Sequence, residues 1–168
     1  MNSCFIALIL KKENALDIKD FRPIALGNTI PKLISKIIMC RMGGIVGVMI
    51  TANQFGFFPG SNIQKCLFMA FESVNLMQRK SKEGNFSLNI DISKDFDTLK
   101  WSFLIEILHR HGFSNCFLNM IITILGSSQM SILVNGAPRG FFSCSRGVRQ
   151  GDPLTGILFT IVEDYLSR

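Results

Sequence analysis

Hydrophobic and polar positions along the chain change period several times, and each period predicts one type of element. Phe5 to Leu10 (FIALIL) is a continuous apolar run that stops at a polar turn, which is typical of a buried strand. Phe86 to Ile92 (FSLNIDI) alternates apolar and polar residues, the period of a half-buried strand. Apolar residues at helical spacing predict helices at 33–41, 63–79, 102–111, 115–125 and 154–166.

Glycine and proline residues predict where these elements end. Pro23 keeps Arg22 extended, so 20–26 is predicted to be a second extended segment. Three glycines within 43–47 predict that the first helix loosens there. The Asn-Gly pair at 135–136 predicts a hairpin with strands at 130–134 and 141–143. Because strands and helices alternate irregularly, we predict an α+β fold in one domain that covers 1–168.

Composition excludes several classes of protein. The chain is 48% hydrophobic and 18% charged, which predicts a folded protein. No apolar run reaches the roughly 20 residues that span a bilayer, so we expect no membrane partner. Five cysteines without paired spacing predict buried, reduced thiols in a nuclear or cytoplasmic protein. A net charge of +6 suits a polyanionic partner.

Asp91 is the first candidate for chemistry. It lies near the end of a predicted strand, between Ile90 and Ile92, where a carboxylate is costly unless it is paired or binds a cation. Asp97 follows six residues later, and carboxylates at strand ends are oxygen ligands for Mg²⁺ in phosphoryl transfer. The spacing alone leaves another interpretation open, in which Asp91 caps a turn and Asp97 is a surface charge.

Two further stretches could approach a ligand. The segment 146–154 (RGVRQGDPL) has two glycines that let the backbone come close, and Gln150 both donates and accepts. Lys11, Lys12 and Arg22 lie on either side of a turn, where converging cations could hold a triphosphate. The alternatives are a plain turn that starts a helix and solvated surface charge.

Three segments resemble motifs of non-LTR (LINE-type) retrotransposon reverse transcriptases: a fingers motif and two palm motifs, here DFRPIAL, NIDISKDFDTLKW and RGVRQGDPL in this order. The sequences of these motifs resemble those of plant elements. The stretch 53–60 (NQFGFFPG) also resembles this family. The resemblance implies an RNA-directed DNA polymerase with a partial right-hand fold: fingers and the fingers–palm region at about 1–85, and palm at about 86–168. It also implies Mg²⁺ as cofactor and RNA template, DNA primer and deoxynucleotide triphosphates as partners.

The resemblance also implies a role for each matching residue. Asp91, with the backbone carbonyl of Ile92, would hold the Mg²⁺ ions. Phe96 would be the steric gate under the deoxyribose. Implied nucleotide contacts are Gln150, Gly151, Arg22, Lys11 and Lys12, and implied supporting residues are Asp97, Trp101 and Arg149.

The chain departs from the family pattern at Ser61, Lys65, Cys66 and Asp95. It also ends before the [FY]-A-D-D hairpin that would supply the second carboxylate set of a two-metal site. We therefore expect neither catalytic hairpin nor thumb, and a degenerate fragment without polymerase activity of its own. Two alternatives stay open: a non-catalytic remnant that binds nucleic acid, and one exon of a longer active enzyme.

Overall fold

The computed structural model describes residues 2–14, 16–56, 62–79, 84–92 and 95–168, apart from the side chains of Asn2 and Asp95. The described chain is α+β, as predicted. Its strands are β1 (Asn2–Leu10), β2 (Phe21–Gly27), β3 (Ser128–Val134) and β4 (Ala137–Ser143). Its helices are α1 (Thr29–Met49), α2 (Ile63–Met77), α3 (Asp95–Thr98), α4 (Trp101–Arg110), α5 (Asn115–Gly126) and α6 (Pro153–Ser167), with a 3₁₀ turn at Ile18–Asp20.

The strands form one mixed sheet in the order β2-β1-β3-β4. β1 and β2 are an antiparallel hairpin, whereas β1 and β3 run parallel, with Cys4 opposite Met130. β3 and β4 are joined at Asn135 and Gly136, whose φ angles of 51° and 78° fit the hairpin turn that an Asn-Gly pair favours. The predicted boundary between fingers and palm lies at about residue 85. The sheet therefore combines two strands that precede this boundary with two strands that follow it.

The hydrophobic core lies around α6, which runs through the middle of the helical layer. Nine of its residues are buried, and α1 and α4 pack against it. Burying an apolar side chain of this size contributes about 1.5–3 kcal/mol, so this packing is the main stabilising term. The largest buried side chains are Met42, Val46, Leu104, Ile107, Leu108, Ile121, Leu154, Ile157, Leu158 and Ile161.

The prediction that the chain loosens at 43–47 is wrong, because α1 continues unbroken to Met49. Met42 and Val46 lie one helical turn apart on the same face and are almost completely buried. Glycine costs a helix roughly 1 kcal/mol relative to alanine. Burial of these two side chains against α6 outweighs that cost.

The predicted strand at 86–92 is also wrong. The segment 84–92 has no regular secondary structure, and no strand of the described chain pairs with it. A strand needs a hydrogen-bonding neighbour, whatever its alternation of side chains. Phe86, Leu88 and Ile90 are 92%, 75% and 72% exposed as a result.

Other predictions have mixed outcomes. α2 forms as its apolar period predicts, but none of its described residues is buried. All five cysteines are free thiols, yet only Cys4 is buried, and Cys40 and Cys116 are exposed. The departures at Ser61 and in the side chain of Asp95 lie outside the described residues. No described helix is both long and apolar enough to cross a membrane.

Candidate nucleotide site

The turn that precedes α6 is fastened to α3 by backbone hydrogen bonds. Gly147 N donates to Leu99 O at 2.7 Å, and Val148 N donates to Phe96 O at 2.7 Å. A Cβ atom on Gly147, whose φ is +80°, would lie 2.8 Å from Asp97 O. Only glycine combines this backbone angle with this close approach. Two segments that sequence reasoning singled out separately are therefore one structural unit.

The same turn also joins the free edge of β2. Ala25 N donates to Gln150 O at 3.2 Å, which satisfies a donor that an edge strand leaves unpaired. Arg149 is buried, and its guanidinium donates to Ile124 O at the end of α5. Thr155 Oγ1 donates to Arg149 O at 2.9 Å from the first turn of α6. Arg149 thus supports the turn from within.

A cavity of about 350 Å³ opens beside this turn. It brings together Phe96 from α3 with Gln150 and Gly151, three residues predicted to contact the nucleotide. The Phe96 ring packs on Phe159 of α6, with ring centroids 4.6 Å apart, so its position is fixed by the core. The remaining lining residues are Asp152, Pro153, Thr155 and Gly156.

Arg22 lies on β2, the strand that contacts this turn at Gln150. It is exposed on β2 and shares a face with Ile24, two residues along the strand. Ile24 Cγ2 is 3.9 Å from the point where a Cβ of Gly151 would lie. Side chains two apart on a strand start roughly 7 Å from each other. The long guanidinium arm of Arg22 therefore starts within reach of Gly151.

The two lysines are held at the β1–β2 turn. Lys12 Nζ lies 2.9 Å from Asp20 Oδ1, and Lys11 Nζ donates to Lys19 O at 2.9 Å. The hydrogen bond from Lys12 lowers the pKa of Asp20, so this carboxylate stays ionised down to acidic pH. Polyanion binding by Lys12 therefore competes with an existing ion pair.

The predicted metal-binding residues are not among the residues that line this cavity. Asp91 is exposed on the irregular segment 84–92, and Ile92 is 46% exposed. Asp97 is exposed, and its backbone carbonyl faces Gly147. The described residues contain no group of three or more His, Cys, Asp or Glu that could hold a metal ion. A site for two Mg²⁺ ions needs several converging oxygen ligands, so the described residues do not fit that cofactor.

Sequence reasoning missed two residues, Asp152 in the cavity lining and Ser35 behind it. Asp152 caps α6, since its Oδ1 accepts from Leu154 N at 3.0 Å, and an Asp before Pro153 and an apolar run is a recognisable cap signal. Ser35 on α1 donates to Asp152 Oδ2 at 3.1 Å. Nothing in the local sequence around Ser35 predicts this contact.

Comparison with known proteins adds a common family to this geometry. The family model described as reverse transcriptase (RNA-dependent DNA polymerase) matches residues 9–168. The chain is 28% identical to the 149 kDa protein of transposon TX1 from Xenopus laevis, over 96% of the chain and 12% of that relative. It is 29% identical to the Pol polyprotein of the type-2 retrotransposable element R2DM from Drosophila melanogaster, over 89% of the chain and 14% of the relative.

A shorter match involves an uncharacterized mitochondrial protein of Arabidopsis thaliana, which is 51% identical over 35 residues, 21% of the chain. The chain therefore spans only a small part of the length of the two retroelement proteins.

Proposed function

Because the chain belongs to the reverse transcriptase (RNA-dependent DNA polymerase) family, we propose that it forms the nucleotide-binding region of a LINE-type enzyme, built from fingers and the first part of the palm. In this role it receives a deoxynucleotide triphosphate beside an RNA template and a DNA primer. The observation that carries this proposal is the shared cavity of Phe96, Gln150 and Gly151, contributed by two distant sequence motifs.

Each cavity residue has a proposed contact. Phe96, backed by Phe159, is rigid enough to exclude a 2′-hydroxyl beneath the sugar. The Gln150 amide offers a donor and an acceptor, and Gly151 leaves room for close approach by the ligand. Arg22 binds the phosphates in bidentate fashion, and Lys11 and Lys12 add positive charge once they leave their partners at the turn.

Joining nucleotides would require bound Mg²⁺ in addition to the nucleotide contacts. Asp91 and the carbonyl of Ile92 are the ligands that the family resemblance assigns, but the described carboxylates do not converge on an ion site. We therefore propose that this chain by itself binds nucleotide and primer–template without joining nucleotides.

The experiment has two arms. The first adds deoxyuridine triphosphate and an RNA–DNA primer–template to the purified chain and follows the fluorescence of Trp101, its single tryptophan, which lies beside the turn. We expect saturable binding that weakens with salt. The second arm is primer extension with Mg²⁺ by the chain and by Asp91→Ala, and we expect no extension from either. If neither ligand binds, the proposal fails. Extension that Asp91→Ala abolishes would overturn its non-catalytic part.

A non-catalytic nucleic-acid-binding remnant is the second candidate. The net charge of +6 and the exposed Arg22 on a cationic hairpin favour it. Such a remnant binds primer–template in a salt-dependent way but does not bind free nucleotide, which separates the two proposals.

We also propose a plant origin, from the motif sequences and the Arabidopsis thaliana match, and a place within a longer protein, as in the retroelement relatives.

A further inference from the structure

The Ser35 hydroxyl is buried within α1, far from the cavity in sequence. Ser35 has no exposed surface, and it donates to Asp152 Oδ2, 117 positions away along the chain. A buried hydroxyl is costly unless it is hydrogen-bonded, and a hydrogen bond to a carboxylate is stronger than one between neutral groups. The bond therefore links α1 firmly to the turn that carries Gln150.

Asp152 is one of two buried anchors for the cavity residues. Its Oδ1 accepts from Leu154 N, and its Oδ2 lies 3.9 Å from Arg149 Nη1. The side chains of Arg149 and Asp152 are only 8% and 9% exposed. Gln150 and Gly151 are the two residues between these anchors. Their position consequently depends on what holds Arg149 and Asp152.

β2 and α1 follow each other almost directly in the chain and contact the turn at two points. Ala25 N on β2 donates to Gln150 O, and Ser35 on α1 donates to Asp152. One contact alone would let the turn pivot, whereas two fix its position along β2. Since β2 also carries Arg22, the two contacts set the distance between the backbone of Arg22 and Gln150.

We propose that Ser35 is a positioning residue that acts through Asp152. It holds Gln150 and Gly151 in register with Arg22, so that one nucleotide meets the cavity and the cation together. This inference rests on the proposed function. Loss of the hydroxyl leaves the cap on Leu154 intact but frees the turn from α1. The triphosphate then loses its aligned cation, while the nucleoside keeps its contacts.

The test compares Ser35→Ala with Ser131→Ala. Ser131 is equally buried, and its hydroxyl has no hydrogen-bond partner within the described residues. Trp101 fluorescence measures the affinity for deoxyuridine triphosphate and for deoxyuridine. We expect Ser35→Ala to weaken triphosphate binding about five- to tenfold and nucleoside binding far less. Ser35→Thr, which keeps the hydroxyl, should restore affinity, and Ser131→Ala should match the parent chain.

Each other outcome overturns the inference. Equal triphosphate affinity for the parent and Ser35→Ala overturns it directly. Equal losses for triphosphate and nucleoside, or similar losses in Ser131→Ala, indicate general loosening of the fold and also overturn it. If far-UV circular dichroism shows that Ser35→Ala is unfolded, Ser35→Cys, which has similar volume but a weak donor, takes its place with the same criteria. Absence of triphosphate binding by the parent overturns the proposed function, and the inference falls with it.

Discussion

The indole Nε1–H of Trp101 donates a 2.7 Å hydrogen bond to the carbonyl oxygen of Gly147, which ties the start of α4 to the turn before α6. In the opposite direction, Gly147 N donates to Leu99 O. Hydrogen bonds on both sides of one residue leave the turn little freedom to rotate. The Gly147 end of the turn is therefore held against the helices behind it.

Gly147→Ala should destabilise the fold. The new Cβ would meet Asp97 O at 2.8 Å, and φ is +80°. We expect a loss of at least about 2 kcal/mol in the free energy of unfolding, measured by urea titration. Gly136→Ala is the control, because its φ is +78° but no atom lies within 4 Å of the new Cβ. That variant should lose only about 1 kcal/mol, for strain alone. Equal losses would show that the close approach at Gly147 is unimportant.

Phe96→Val should relax the selection of the sugar. With a smaller side chain beneath the ribose, the affinity for uridine triphosphate should approach the affinity for deoxyuridine triphosphate, so that their ratio moves toward one. Phe113→Val is the control, since it removes a similar ring pair, 4.8 Å from Phe117, away from the cavity. Both variants should lose about 1–2 kcal/mol of stability, but only Phe96→Val should change selectivity. An unchanged ratio in Phe96→Val would contradict the steric-gate role.

Arg22→Ala should reduce the contribution of the phosphates to binding. The affinity advantage of deoxyuridine triphosphate over deoxyuridine should fall about tenfold, because a bidentate ionic contact is lost. Arg139→Ala removes an exposed arginine from β4, at the opposite edge of the sheet. It should leave the advantage unchanged. Similar decreases in both variants would mean that net charge, and not the position of Arg22, determines phosphate binding.

Asp164→Asn should change the acid stability of the fold. Burial raises the pKa of Asp164, whereas hydrogen bonds from the Thr51 hydroxyl and N–H and contact with the Arg168 guanidinium lower it. The lowering contacts outweigh the effect of burial, so the pKa lies below its ordinary value of 3.8. A depressed folded-state pKa contributes stability that is present above pH 3.8 and is lost as the pH falls toward the folded-state value. The difference in unfolding free energy between parent and variant should therefore shrink below that pH.

At neutral pH, Asp164→Asn should cost about 1.5–3 kcal/mol, since it removes the charge from a buried carboxylate that accepts hydrogen bonds from Thr51 and the half-exposed Arg168. Glu106→Gln breaks the exposed pair with Arg110, which has the same i,i+4 spacing, and should cost at most about 0.5 kcal/mol. A parallel pH dependence of Asp164→Asn and the parent would show that the Asp164 carboxylate does not contribute to the acid transition.

Predictions from the sequence were most accurate where neighbours along the chain decide the structure. The Asn-Gly pair at 135–136 produced its hairpin, and the helix predicted at 154–166 forms as α6. They were wrong where the outcome depends on distant partners. The glycines of α1 are overridden by packing of Met42 and Val46, and 86–92 remains irregular for want of a neighbouring strand.

The sequence by itself determined the family, the types of residue available for the proposed nucleotide binding and the local turns that present them, since these depend on side-chain chemistry and short-range backbone preference. Only the tertiary structure decided that Phe96 and Gln150 line one cavity, that β2, which carries Arg22, contacts the turn at Gln150, and that Asp91 is exposed on an irregular segment. The contact of Ser35 with Asp152 was likewise decided by the tertiary structure alone. Such contacts arise when helices and strands far apart in sequence bury a common core, which local patterns do not encode.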